Sequence, residues 1–295
     1  MDLDNDGLII LFYMQKYNFL TIDQAGAVLS GGRSYQMIAR KLREMAGAGL
    51  VGSFGGNRVG FARVPKVYFL KKKGYEILLD NNLPPEILGR FREKSEPRWS
   101  PQTMHRLHLV DVFLSLEEGI RGIDHLDLRK VFLEYNKVSG GGKVLAETTD
   151  FISDDEQAEN KIVPDGAFIL ASQKTLNNVL FLVEMDMGTE GIVDRISKDK
   201  SIALYERMKK YDRYLVSGRY AKKYKDWGNF DHFVLLFVTL SGVRMENIRK
   251  KFFDLPARFS QYYFFNTYDE VKSNFFNGFW KVRAVDDDRN YSVLG

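Results

Sequence analysis

The chain has no cysteine. Disulfide staples, zinc-thiolate centres and cysteine nucleophiles are therefore excluded, and the composition suits a reducing compartment. It has no apolar run close to the ~20 residues that a membrane helix needs, so no membrane partner is expected. The opening stretch, Met1-Asp2-Leu3-Asp4-Asn5-Asp6, has none of the basic residues that begin a secretory signal. A cytoplasmic protein is expected. The glycine run Gly140-Gly141-Gly142 is not followed by a helix with phosphate-loop chemistry, so it reads as a turn.

What is present is enough for a large core. With 295 residues, 44% of them hydrophobic and 14% aromatic, the chain is long enough for two domains. The net charge of +4 hides an uneven distribution. Residues 33–73 carry ten Lys or Arg against a single acid, Glu44. Residues 147–194 carry eleven acids against two lysines, and residues 195–225 are basic again. Basic blocks hold phosphates, and an acidic block between them suits a cation, which is the layout of a metal-dependent nucleic-acid enzyme. Solvated charge on helix surfaces accounts for any single block equally well.

The first 94 residues read as a winged helix-turn-helix. Leu8 to Lys16 suits a first helix, and Thr21 caps a second over Ile22 to Leu29. Ser34 caps a third that runs to about Ala48, with Tyr35, Ile38, Leu42 and Met45 at helical spacing as its apolar stripe. At 100° per residue, Arg33, Gln36, Arg40 and Arg43 fall opposite that stripe. This is what a recognition helix offers a major groove, Arg for guanine and Gln for adenine. Leu50 to Phe54 and Lys66 to Leu70 read as a hairpin with its tip at Gly55-Gly56-Asn57-Arg58. On this wing Arg58 and Arg63 would reach backbone or minor groove. Lys71 and Lys72 add basic contacts ahead of a further helix, Tyr75 to Leu79. Double-stranded DNA is the expected partner, and a homodimer on an inverted repeat is a natural way to use such a domain.

Residues 95–104 form a polar, proline-bounded linker, and 105–295 a second domain with a mixed sheet. Met104 to Glu118 is helical, with His105, His108 and Asp111 on one side; the pair of histidines suits either a metal or interface packing. Leu128 to Tyr135, Ala167 to Ala171, Val179 to Val183, Phe230 to Leu240 and Tyr262 to Phe265 are strand-like. Thr148 to Asn160 reads as a mobile acidic loop, and Val193 to Ser217 as a long basic helix. Along a strand alternate side chains share a face, so Glu184 and Asp186 emerge together, and Asp165 begins the strand expected to pair with theirs. Three carboxylates meeting at one sheet end repel each other without a cation. Oxygen clusters of this kind suit Mg²⁺ or Mn²⁺. The alternative is a strand-end cluster that water solvates or that Arg195 and nearby lysines neutralise.

The order of Asp165, then Glu184-Met185-Asp186 on the next strand, resembles the PD-(D/E)xK nuclease core, with Asp186 where that core usually has lysine. A lysine from the following helix would replace it, with Lys198 and Lys200 nearest and Lys209 or Lys210 further on. The chain as a whole resembles the replication-relaxation family of plasmid, phage and mobile-element proteins. The segments that carry the resemblance are Tyr68-Phe69-Leu70 with Gly74-Tyr75, His105-Arg106-Leu107, Pro164-Asp165-Gly166, Phe181 through Glu190, Val234 to Arg244 and Trp280. That family is similar to the C-class mobilisation relaxases. The resemblance implies binding at an origin-like DNA site, partners among plasmid replication or mobilisation proteins, and metal-dependent nicking by Asp165, Glu184 and Asp186, with Glu190 completing the ligand set. The histidine-hydrophobic-histidine motif of tyrosine relaxases is absent, because the histidines at 105, 108, 125 and 232 never fall at i, i+2. Water is the expected nucleophile; in a variant of this reading a tyrosine, Tyr205, Tyr211 or Tyr214, activated by neighbouring cations, takes its place. The alternative is a non-catalytic DNA-binding initiator, accessory factor or regulator on a degenerate nuclease core.

Overall fold

The computed structural model describes residues 3–29, 32–59, 62–91, 97–140, 142–188, 204–252, 257–284 and 286–294. The chain divides into two compact units, Met1–Leu114 and Ser115–Gly295. The division falls ten residues beyond the expected end of the linker. Pro101 already begins a helix, and the first half of that helix belongs to the first unit.

The first unit runs α1 (Asn5–Tyr17), β1 (Leu20–Thr21), α2 (Ile22–Ala27), α3 (Tyr35–Gly47), β2 (Val51–Gly55), β3 (Arg58–Val59), β4 (Ala62–Arg63), β5 (Lys66–Leu70), α4 (Lys72–Asp80), α5 (Pro85–Leu88) and the start of α6 (Pro101–Arg121). Its antiparallel sheet has the order β1-β5-β2. Three helices and then a hairpin is the element order expected of a winged helix-turn-helix. Asp4, Thr21 and Ser34 cap α1, α2 and α3, each side chain accepting from a backbone N–H of the first turn. Thr21 and Gln24 form a capping box, with Thr21 N donating to Gln24 Oε1 at 3.0 Å and Gln24 N to Thr21 Oγ1 at 3.2 Å. The buried Gln24 amide also donates to Leu107 O at 2.8 Å and Asp111 Oδ1 at 2.9 Å. That contact ties the first half of α6 to α2.

On α3, Ile38, Leu42 and Met45 are buried as the spacing requires. Tyr35 is not: it occupies the first helical position and is 59% exposed. The cap places it ahead of the packed stretch, where periodicity alone counts it inward. The hairpin is also longer than expected. Gly55 pairs with Lys66, and the ladder resumes as Arg58 with Arg63 and Val59 with Ala62. Gly55 and Gly56 both take left-handed backbone (φ 74° and 80°), so the pair forms a kink within the hairpin and not its tip.

The second unit continues with β6 (Leu126–Leu133), β7 (Lys137–Gly140), β8 (Lys143–Ala146), β9 (Asp150–Phe151), β10 (Lys161–Ile162), β11 (Gly166–Ser172), β12 (Asn178–Asp186), α7 (Leu204–Ser217), α8 (Arg219–Lys223), β13 (Phe233–Thr239), α9 (Gly242–Phe252), β14 (Tyr263–Thr267), α10 (Tyr268–Ser273) and β15 (Lys281–Val282). Six strands form one mixed sheet, in the order β15-β14-β13-β12-β11-β6. β6, β11 and β12 are an antiparallel meander, and β13 and β14 continue parallel to β12. The protein is thus a mixed α+β chain. The acidic segment after β8, expected to be mobile, is ordered: β9 pairs with β10, and buried Thr148 donates to Pro164 O at 2.7 Å.

α7 and α9 cover one face of this sheet. There Leu180, Leu182, Phe233, Leu235, Phe237 and Phe265 meet Leu204, Met208, Tyr211, Ile248 and Phe252. On the other face Phe168 and Phe181 stack with centroids 4.6 Å apart, flanked by Phe275 and Trp280. β12, like its neighbours β11 and β13, is buried on both faces, and its alternation sets the direction of its acids. Leu180 and Leu182 point towards α7, so Glu184 and Asp186 do as well.

Two glycines test the packing of the first unit with opposite signs. A Cβ on Gly74 in α4 would lie 2.4 Å from Leu50 O and 2.7 Å from Leu70 Cδ1. Gly74→Ala is expected to lower stability by ~1–3 kcal/mol through overpacking. A Cβ on Gly47 meets nothing within 4 Å, so Gly47→Ala is expected to raise stability by up to ~1 kcal/mol. Urea midpoints measure both.

Candidate functional site

The site lies where the start of β11 meets the end of β12. Gly166 pairs with Val183, so Asp165 stands opposite Glu184 in the antiparallel register. Asp165 Oδ2 accepts from Met185 N at 2.8 Å, which fixes the carboxylate against β12. Glu184 is 2% exposed. Its Oε2 accepts from Arg207 Nη1 at 3.1 Å, and its Oε1 accepts a short bond from the Tyr211 hydroxyl. Arg207 and Tyr211 are one turn apart on α7, the helix that packs on this face. Asp186 is also buried, and both of its oxygens are held by Arg244 of α9: Nε bonds Oδ2, and Nη2 bonds Oδ1 at 2.8 Å. Gly188 N donates to the same Oδ1 at 3.2 Å. The fork is the bidentate geometry that makes guanidinium-carboxylate pairs strong.

Burial pushes the Glu184 carboxyl up to about 8, and the nearby Asp165 pushes it the same way; Arg207 and Tyr211 pull it down. Desolvation wins because the group has left water entirely. The Tyr211 phenol is raised well above its ordinary value by burial and by Glu184. Tyr214 is raised by burial and by its neighbours Tyr224 and Asp150, and its hydroxyl donates to Asp150 Oδ2 at 2.5 Å. Both phenols hold their protons more tightly than free tyrosine, which corrects the expectation that cations on this helix activate them. Tyr205 sits under Lys209, with Nζ 4.5 Å from the ring centroid.

Asp165 and Glu184 are brought together as expected, and Asp186 shares the face of Glu184. Glu190, Lys198 and Lys200 lie outside the described residues, as does Arg195. Lys209 pairs with Glu206 at 2.8 Å, and Lys210 donates to Lys161 O at 3.4 Å, so neither serves the carboxylates. The cation that enters from the following helix is Arg207. Its signal was local: Leu204, Met208, Tyr211 and Leu215 mark the buried face of α7, and Arg207 lies one turn before Tyr211 on its edge. Arg244 had no comparable signal, because it reaches Asp186 from a helix 58 residues along the chain.

The donor set does not fit a divalent ion as it stands. Glu184 and Asp186 already give their oxygens to guanidinium and phenol donors, and among the described residues no three His, Asp or Glu side chains gather as metal ligands. His105 and His108 form no such group. Asp111, the third of that trio, accepts from Gln24.

In the first unit, Gln36, Arg40 and Arg43 are exposed on α3, whereas Arg33, expected on the same helical face, is exposed two residues ahead of the first helical position. Arg33 Nε pairs with Asp6 at 2.9 Å, and Arg40 Nε lies 3.7 Å from Glu44. The second contact is long and solvent-exposed, so it is worth little and leaves Arg40 available. Lys71 caps α4 through its backbone alone, and Lys72 lies 3.9 Å from Glu76; both are exposed. Arg58 and Arg63 are register partners in the β3–β4 ladder. Among the described residues, no helix is long and apolar enough to cross a membrane.

A profile of the replication-relaxation family matches residues 11–229, and the chain belongs to that family. No curated protein matches it. Among solved structures, it is similar to the crystal structure of Bacillus subtilis PadR in complex with operator DNA. That match has 12% identity, covers 39% of this chain and 68% of the other, and has a TM-score of 0.22, too low to establish a shared fold.

The Glu184 environment predicts a pH dependence. The unfolded chain releases this proton near 4.5, whereas the folded protein keeps it to about 8. Between those values the native state binds more protons, so this group makes stability fall as pH rises and become level above about 8. Glu184→Gln is expected to flatten that slope, and urea unfolding of both proteins across the window measures the difference.

Proposed function

We propose that this protein acts on plasmid or mobile-element DNA: the first unit is a winged helix-turn-helix that binds an origin-like duplex site, and the second is a PD-(D/E)xK-like frame attached to it. The observation that carries the proposal is the two-sided character of α3. Ile38, Leu42 and Met45 anchor one side in the core, and Gln36, Arg40 and Arg43 stand in solvent on the other, with Arg33 exposed just ahead of the helix. A rigid helix offering arginines and an amide matches the donors and acceptors of major-groove base edges. Lys71, Lys72 and the hairpin arginines Arg58 and Arg63 would add phosphate contacts. Family membership supports a DNA-processing role in replication. For the second unit, the element order α6-β6-β11-β12-α7-β13 and the placement of Asp165 and Glu184 support the nuclease-like frame.

One observation favours strand nicking as a second activity. Asp165 lies close enough to Glu184 to raise its pKa, and facing carboxylates are where a divalent cation would relieve repulsion. Mg²⁺ or Mn²⁺ would have to displace the bonds that Arg207 and Tyr211 now make. The ion pairs otherwise favour a non-catalytic frame.

The test of binding begins with a duplex site selected by the full-length chain from random sequence. Arg40→Ala is expected to lose ~1–3 kcal/mol on that site and little on unrelated DNA. Lys72→Ala should weaken both alike and reduce the salt dependence. Loss by Arg40→Ala that is equal on every sequence would demote α3 from a reader to a backbone contact. For nicking, supercoiled plasmid bearing the selected site is incubated with Mg²⁺ or Mn²⁺. Open-circle product from the wild type that Glu184→Ala abolishes supports nicking; intact plasmid together with intact binding leaves a DNA-binding protein.

A further inference from the structure

Two large apolar side chains of α3 stand in water within its cationic stretch. Tyr35 is 59% exposed and Met37 44% exposed. Single exposed hydrophobic residues are ordinary, but these two share the first turn of one helix with Gln36, directly after Arg33 and the Ser34 cap. Met37 lies one turn before Arg40 on α3, and Arg33, ahead of the helix, is paired with Asp6. Aromatic residues, Met and Arg occur at protein interfaces as well, so what selects DNA is the company of exposed Gln36, Arg40 and Arg43 on the same helix in a chain of the replication-relaxation family. A phosphate backbone can accept from the Tyr35 hydroxyl but offers nothing to its ring or to a thioether. The major groove offers both halves of the complement: acceptor atoms of guanine and adenine for arginine and glutamine, and the C5-methyl of thymine for apolar side chains.

We infer that Tyr35 and Met37 are specificity-determining residues that pack on thymine methyl groups when α3 enters the major groove. This rests on the DNA-binding role proposed above and assigns these two residues a part in it. Their exposure in the free protein is the condition for the contact: neither side chain is used by the core, so both are available to be desolvated by DNA. Gln36 and Arg40 on the same stretch then read the neighbouring base edges. A thymine within reach of the first turn of α3 becomes part of the preferred site.

The experiment compares affinities for two versions of the site selected by the full-length chain, one with thymine and one with deoxyuridine at single positions. The substitution removes the methyl group and leaves the hydrogen-bonding edge intact. For the wild type, loss of a contacted methyl is expected to weaken binding about fourfold, the value of one buried methyl-sized group. In Tyr35→Ala or Met37→Ala the thymine-to-uracil ratio should fall to about one at the position that residue contacts, whereas Tyr35→Phe should keep it. A ratio of two affinities on one preparation is insensitive to misfolded protein, so a destabilised variant still gives a readable result. Wild-type ratios that persist in both alanine variants, or a wild type that never distinguishes the two bases, would overturn the inference while leaving DNA binding in place. Failure of the chain to select any sequence would overturn both.

Discussion

Two carboxylates buried at one end of the central strand dictate the arrangement around them. Glu184 and Asp186 sit on β12, a strand covered on both faces, and its alternation turns both towards α7 and α9. A buried carboxyl left without hydrogen-bond partners is costly whether it is ionised or, like Glu184 below about 8, protonated. The helices therefore have to deliver donors, and they do: Arg207 and Tyr211 from α7, and Arg244 from α9. The positions of both helices on the sheet and the state of the acidic site follow from this one requirement.

The same logic recurs twice on that face. Asp212, also on α7, accepts from the Tyr263 hydroxyl at 2.6 Å and from buried Arg283 at 2.7 Å. Asp150 takes the Tyr214 hydroxyl. α7 thus carries apolar side chains into the core and, between them, polar groups that pair with partners brought by several different strands. Its sequence looks like a basic surface helix, yet much of its polarity points inward. Breaking one partner of such a pair costs more than the pair itself contributes, because the charge left behind stays buried. Glu184 and Asp186 accordingly give their oxygens to donors of the chain itself.

Much of the architecture was legible in the sequence. Strand alternation placed Glu184 and Asp186 on one face, and the two helices on that face reach them, α7 through Arg207 and α9 through Arg244. Caps at Thr21 and Ser34 located α2 and α3, because each side chain satisfies a backbone donor that the helix cannot. The failures share a cause: they needed contacts distant in sequence. Arg244 could be matched to Asp186 only through the parallel order of β12, β13 and the helix after β13. The acidic stretch after β8 looked unstructured from its composition, but the β9–β10 pairing and Thr148 anchor it. Tyr211 and Tyr214 lie near cations in sequence, yet in space the carboxylates and burial decide their ionisation. Tyr35 belongs to an apolar period that extends one residue beyond the surface available to bury it.

Gln24 has a consequence beyond its place in the capping box. Its one carbonyl accepts from Thr21 N, and its amide hydrogens go to Leu107 O and Asp111 Oδ1, so a single side chain closes the start of α2 and holds the first half of α6. Among side chains of this length, only a carboxamide offers an acceptor and two donors together. Even its near-isostere glutamate would turn a lone pair towards the Leu107 carbonyl and set two anions face to face with Asp111. The unit would then close only while that glutamate stayed protonated, so one changed atom at position 24 would make an ordinary scaffold contact acid-dependent.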